Sequence, residues 1–159
     1  MKKATLIKRV VDHLVGELEL FHRAAKAAFD EATDEQNKAE NKYDTRGLEA
    51  SYLARGQARQ VADTEQAIAQ FQSLSAQELG PDARISLGAL VELEHNQEIA
   101  WYFLGPCAGG TEIRDGKRTI LVITPQSPLG QQLVGHQAGK TLTLTLGSTQ
   151  KQYKLLSVT

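Results

Sequence analysis

The sequence predicts an α+β chain: an N-terminal antiparallel helical hairpin, or coiled coil, followed by a small antiparallel β domain with one short helix. Two observations carry this expectation. All four prolines (Pro81, Pro106, Pro125 and Pro128) and ten of the 13 glycines fall at or after residue 80. Glycine and proline punctuate turns, so the first half should contain few turns and the second many. Apolar residues also change rhythm, recurring at steps of three and four in the first half and alternating in the second.

The first helix is expected on the stripe Leu6, Val10, Leu14, Leu18, Phe21, Ala25, Ala28 and Ala32. The second is expected on Ala54, Ala58, Val61, Glu65, Ile68, Phe71 and Leu74, with Glu65 as its weak point. Such spacing places each set on one face of a helix. The intervening stretch, Asp34 to Gly47, is polar. Two narrow stripes joined by a polar interruption make a two-stranded hairpin, roughly 45 Å long at 1.5 Å per residue. Toward the interruption both stripes thin to alanine. That end buries the least apolar area and should be the less stable one.

Strands are expected at Ile85–Leu93, Glu98–Leu104, Thr119–Thr124, Thr141–Leu146 and Gln152–Val158. Thr141 to Leu146 alternates strictly, as a half-buried strand does. Asp115-Gly116 and Gly147-Ser148 read as hairpin turns. A short helix is expected between Ser127 and Gly135, with Ser127 as N-cap, Pro128 at its first position and Gly135 at its end. Gly80-Pro81 marks the linker. The expected division is therefore residues 1–77 for the hairpin, 78–83 for the linker and 84–159 for the β domain.

Composition narrows function. The 159 residues carry 18 Lys+Arg against 19 Asp+Glu, a net of -1, which gives no global field for coating nucleic acid. The single cysteine, Cys107, excludes an internal disulfide framework and a cysteine-cluster zinc site, and fits a reducing compartment. Lys8, Arg9, Asp12 and His13 interrupt the first apolar stretch, so no signal peptide is expected, nor any run long enough to span a bilayer. The expected location is the cytoplasm. His13, His22, His95 and His136 show no ligand spacing, and no Gly-x-Ser-x-Gly elbow occurs.

Charge is distributed unevenly. From Asp30 to Glu49, seven acids (Asp30, Glu31, Asp34, Glu35, Glu40, Asp44 and Glu49) face three bases (Lys38, Lys42 and Arg46). The ordinary reading is a solvated loop with charged helix ends, and an acid near a helix start suits the dipole.

Several segments carry a family resemblance. They are Ile85 to Leu93, Ile123-Thr124-Pro125-Gln126-Ser127-Pro128-Leu129-Gly130-Gln131-Gln132-Leu133-Val134-Gly135, Gly139-Lys140-Thr141, and Gln152 to Val158. Together they resemble the C-terminal, FKBP-like domain of the bacterial transcription elongation factors GreA and GreB over about residues 84–158. The first half resembles the family in its hairpin. Glu49-Ala50-Ser51-Tyr52-Leu53-Ala54-Arg55-Gly56-Gln57 is similar to the stretch just past the family's hairpin tip. The tip itself departs from the family's Asp-Leu-x-Glu-Asn core: its acidic positions fall on Thr45 and Leu48, with Asp44 and Glu49 one residue away.

The resemblance implies a cytoplasmic factor that binds RNA polymerase and is not itself an enzyme. Its hairpin would enter the polymerase secondary channel, and nucleic acid would be met only inside the transcription complex. Tip acids, here Asp44, Glu49 and Glu40, would help hold a Mg2+ shared with the polymerase and promote cleavage of backtracked RNA. No stably bound cofactor is implied. Mg2+ is a hard ion that takes one or two carboxylates together with phosphate and water, and two-metal chemistry can use an ion held during cleavage alone. Arg46, Arg55, Ser127 and Pro128 are the implied polymerase contacts; an exposed helix face and a helix cap also account for them. Two alternatives stand beside this reading. The altered tip could occupy the channel without cleaving, as DksA-like regulators do. Or the chain could be an FKBP-like prolyl isomerase or chaperone, although only Trp101, Tyr102, Phe103 and Tyr153 supply aromatics after residue 80. The hairpin stripe could also pair between chains.

Overall fold

The fold was obtained as a computed structural model, which describes residues 2–34, 45–80 and 82–159. Two long helices, α1 (Lys3–Thr33) and α2 (Arg46–Gln72), precede six strands and one short helix. These are β1 (Leu90–His95), β2 (Glu98–Leu104), β3 (Glu112–Asp115), β4 (Arg118–Ile123), α3 (Pro128–Leu133), β5 (Thr141–Leu146) and β6 (Thr149–Val158). The architecture is α+β, as the residue rhythm predicts. The chain divides into two compact units, Asp12–Ala69 and Met1–Val11 with Gln70–Thr159.

Within Asp12–Ala69 the helices form the hairpin, with His22 Nε2 of α1 3.9 Å from Glu65 Oε1 of α2. Leu14 and Ala28 are buried on α1, and Leu18, Phe21, Ala25 and Ala32 are half-buried, so the first stripe stands. The α2 stripe is corrected. Its inward positions are Ala50, Ala54, Gln57, Val61, Thr64 and Ile68, while Ala58 and Glu65 are exposed. Either choice passes through Ala54, Val61 and Ile68, and the charge decides between them. Turning Glu65 inward would desolvate a carboxylate, which is costly. Thr64 can go inward because its hydroxyl donates to the Gln60 carbonyl at 2.8 Å.

In the other unit the strands form one sheet in the order β3-β4-β2-β1-β6-β5. It is antiparallel apart from β2 and β4, which run parallel with Trp101 opposite Ile120 and Leu104 opposite Ile123. The chain leaves β2, makes β3, and returns through a tight turn at Gly116 (φ 61°) into β4. The excursion through β3 reverses direction twice, so β4 returns parallel to β2. One core gathers Ile85, Val91, Leu93, Leu104, Ile123, Leu133, Leu144 and Leu155. Elsewhere in the unit the Phe71 and Phe103 rings stack with centroids 6.4 Å apart. A Cβ at Gly105 would come within 2.8 Å of Phe71, so only glycine permits this packing.

Candidate functional site

The short helix α3 is built by its first turn. Ser127 lies extended (φ -66°, ψ 153°); its Oγ accepts from the Gly130 amide at 3.0 Å and donates to the Thr124 carbonyl at 2.7 Å. Pro128 follows where its missing N–H matters least. Gly130 is pressed so closely onto this turn that a Cβ there would overlap the Thr124 carbonyl oxygen. Gly135 leaves the helix with φ 84°, a value glycine accepts without strain. Gln132 ties α3 to β5: its Nε2 donates to the Thr145 carbonyl at 2.9 Å, and its Oε1 accepts from the Thr145 amide at 2.7 Å. Every donor and acceptor role of Ser127 is thus met within the chain. Outward it presents the exposed Gln126, Pro128, Gln131 and Val134, a face without charge.

Within the hairpin, Thr45 precedes α2 and its hydroxyl donates to Glu49 Oε1 at 3.1 Å. Glu49 is exposed in the first turn of α2, where a carboxylate favours the positive end of the helix dipole. Arg46 opens α2 and Arg55 is exposed two turns later. Asp44 and Glu40 lie outside the described residues. Among the described residues, no group of three His, Cys, Asp or Glu side chains comes together as a metal site. Glu49 and Arg55 therefore share one end of the hairpin, and Ser127 and Pro128 share one turn of the sheet domain.

A further feature escaped the sequence reading. An open cavity of about 570 Å³ lies where β2 and β4 part below Trp101, lined among others by Glu92, Ile99, Trp101, Tyr102, Lys117 and Arg118. Arg118 sits over the Trp101 ring at 4.7 Å, and burial pushes the Tyr102 phenol above its ordinary value, with Tyr153 adding to the shift. Of the aromatics an isomerase pocket would need, Phe103 and Tyr153 are buried elsewhere in the unit.

With this geometry in place, residues 80–159 match the family described as "Transcription elongation factor, GreA/GreB, C-term". The chain belongs to the GreA/GreB family. The matched segment spans β1 to β6 and the whole Ser127–Gly135 turn. No curated protein matches the chain. Among solved structures it is similar to GreA factor homolog 1 of Thermus thermophilus, at 21% identity over 94% of each chain with a TM-score of 0.40. It is also similar to Gfh1 of Thermus aquaticus, at 23% identity over 92% of each chain with a TM-score of 0.41. A third is a GreA/GreB factor of Nitrosomonas europaea, at 13% identity over 70% of this chain and 92% of that one, with a TM-score of 0.37. These scores are too low to add to the family match. Among the described residues no helix is long and apolar enough to cross a membrane.

Proposed function

We propose that this Gre-family chain binds RNA polymerase, places its hairpin end in the secondary channel and stimulates the polymerase's own cleavage of backtracked RNA. It performs no catalysis alone. The observation that carries the reading is the GreA/GreB match over the sheet domain, joined to a hairpin whose turn-side end collects acids. Glu49 fits the role of a carboxylate lent to another protein's ion. It is exposed, the Thr45 hydroxyl occupies only Oε1, and Oε2 is left for a metal or a water. Asp44 and Glu40 are the further candidates. A bound Mg2+ would supply charge neutralisation at the scissile phosphate and a more acidic water. This chain's part is to present the carboxylate at the end of a rod. Arg46 and Arg55 contact phosphate or channel wall, and the neutral face around Pro128 docks on the polymerase while Ser127 holds its shape.

A second reading, binding without cleavage, is favoured by one observation. The family's two acidic tip positions fall on Thr45, which is engaged with Glu49, and on Leu48, an exposed apolar side chain. One experiment separates the readings: a defined backtracked elongation complex with Mg2+, the full chain added, and transcript length followed on a gel. Shortened RNA that disappears in E49Q or D44N supports the first. Binding with unchanged or slowed RNA supports the second, and no binding at all overturns both.

A further inference from the structure

The hairpin is built inside out beside residues 35–44. Its inward positions there carry alanine: Ala25, Ala28 and Ala32 on α1, and Ala50 and Ala54 on α2. Its large apolar side chains lie outside, with Phe29 60%, Leu48 57%, Tyr52 63% and Leu53 53% exposed. An ordinary amphipathic helix does the reverse, because water penalises exposed apolar area. The four are not one patch. At about 100° per residue, Leu48 and Tyr52 fall on the side of α2 away from the seam and Leu53 is turned by about 100° from Tyr52. Phe29 flanks the seam on the other helix.

That distribution selects the occupant. A second copy of the chain would cover one side only, and a stable dimer needs about 800 Å² from each partner. The two or three large apolar side chains on one side would supply only part of that area and leave the others in water. A single nucleic-acid strand would stack on Tyr52 or Phe29 but gains little from Leu48 and Leu53. Surrounding protein walls reach all four.

We propose that Phe29, Leu48, Tyr52 and Leu53 form an apolar collar that packs against the protein walls of the polymerase channel. This rests on the reading above that the hairpin enters that channel. The outer stripe of α2 continues from Leu48 and Tyr52 to Arg55 and Arg59 at steps of three and four, so the two kinds of contact lie in series. Arg55 and Arg59 supply attraction that salt screens, and the collar supplies affinity that salt leaves in place.

The test measures binding of the full chain to bacterial RNA polymerase at low and high salt. Variants are the triple L48S/Y52S/L53S, the single F29S and the control L87S, which removes an exposed leucine of the sheet domain. Expected are a loss of about tenfold or more for the triple variant at both salt concentrations, a smaller loss for F29S, and none for L87S. Helix content should stay close to that of the unaltered chain and the melting temperature should fall only slightly, because serine is a somewhat weaker helix former but none of these side chains lies in the seam. Triple-variant binding within about twofold of the unaltered chain overturns the collar while leaving the channel reading intact. Failure of the unaltered chain to bind overturns both. A loss tracking dissociation of a dimer in light scattering, or appearing only when RNA is in the complex, also overturns the collar.

Discussion

Replacing Gln57 with leucine should stabilise the hairpin. Gln57 occupies an inward position of α2, and its Oε1 is buried without a hydrogen-bond partner among the described residues. A buried acceptor left unmet costs about 1–3 kcal/mol. Leucine has similar bulk and no such oxygen. Full burial of leucine is worth about 1.5–3 kcal/mol, of which a half-buried site returns roughly half, and part of that is already supplied by the glutamine methylenes. The net expectation for Gln57→Leu is therefore a gain of about 1–3 kcal/mol. If the hairpin melts as a unit of its own, each kcal/mol raises its midpoint by about 4–8 °C, and by about 2–4 °C if the whole chain melts together. Far-UV circular dichroism melts of the full chain read the shift. Gln57→Glu is the companion: burial would raise the carboxyl pKa in the folded state above its unfolded value. Its stability would then be present below the ordinary glutamate pKa and lost as pH rises through the raised one. A leucine variant no more stable than the parent, or a glutamate variant indifferent to pH across the carboxyl titration (~4–8), would refute the inward placement of the Gln57 side chain.

Other positions give equally direct outcomes. Gly130→Ala must displace the Thr124 carbonyl and should destabilise the sheet domain by about 1–3 kcal/mol or more in urea titration, whereas Gly80→Ala, with open space around it, should change little. Ser127→Ala removes the N-cap and the bond to Thr124, for a loss of about 1–2 kcal/mol by the same titration. Gln132→Ala should release the Thr145 amide to fast hydrogen exchange and reduce stability by about 1 kcal/mol, Thr145 being exposed and open to replacement bonds from water. Burial pushes the Cys107 thiol up, so at pH values below its ordinary range it holds less thiolate than free cysteine. Its alkylation by iodoacetamide should be slower than that of free cysteine and should accelerate as pH rises past that range.

What the sequence made legible was whatever a local rule governs. The Thr141–Leu146 alternation, the Ser127-Pro128 cap and the α1 stripe each follow from a few neighbouring residues, and each stands in the fold. Where a distant partner decides, the residues alone misled or were silent. β1 begins at Leu90 rather than Ile85, because Gly88 at φ 83° turns the chain and Ile85 instead bonds with Gly135 and His136. β3 passed unnoticed because its four residues hold a single apolar side chain, Ile113, and its pairing with β4 supplies the rest. The same holds at the candidate sites. Glu49 was recognisable as an acid at a helix start, but its bond with Thr45 was not. The apolar collar did leave a signal, large side chains beside an alanine stripe, which becomes readable once the seam is fixed.

Both edges of the sheet are held by side chains from elsewhere in the same unit. On β3, Arg9 Nη1 donates to the Arg114 carbonyl at 2.6 Å and lies 3.3 Å from Asp115 Oδ1. On β5, Gln132 meets both backbone groups of Thr145 as a neighbouring strand would. An uncovered edge invites pairing with other chains, and the uncharged Thr-Leu alternation of β5 would be prone to it. Gln132 Nε2 also donates to the Pro128 carbonyl at 2.8 Å, so one amide both blocks the edge and fixes the turn that presents Pro128. Folding integrity and the proposed docking face therefore depend on the same contact. Gln132→Glu keeps an acceptor for the Thr145 amide but loses the donor to Thr145 and Pro128. It should therefore weaken polymerase binding while protecting the Thr145 amide better than Gln132→Ala does.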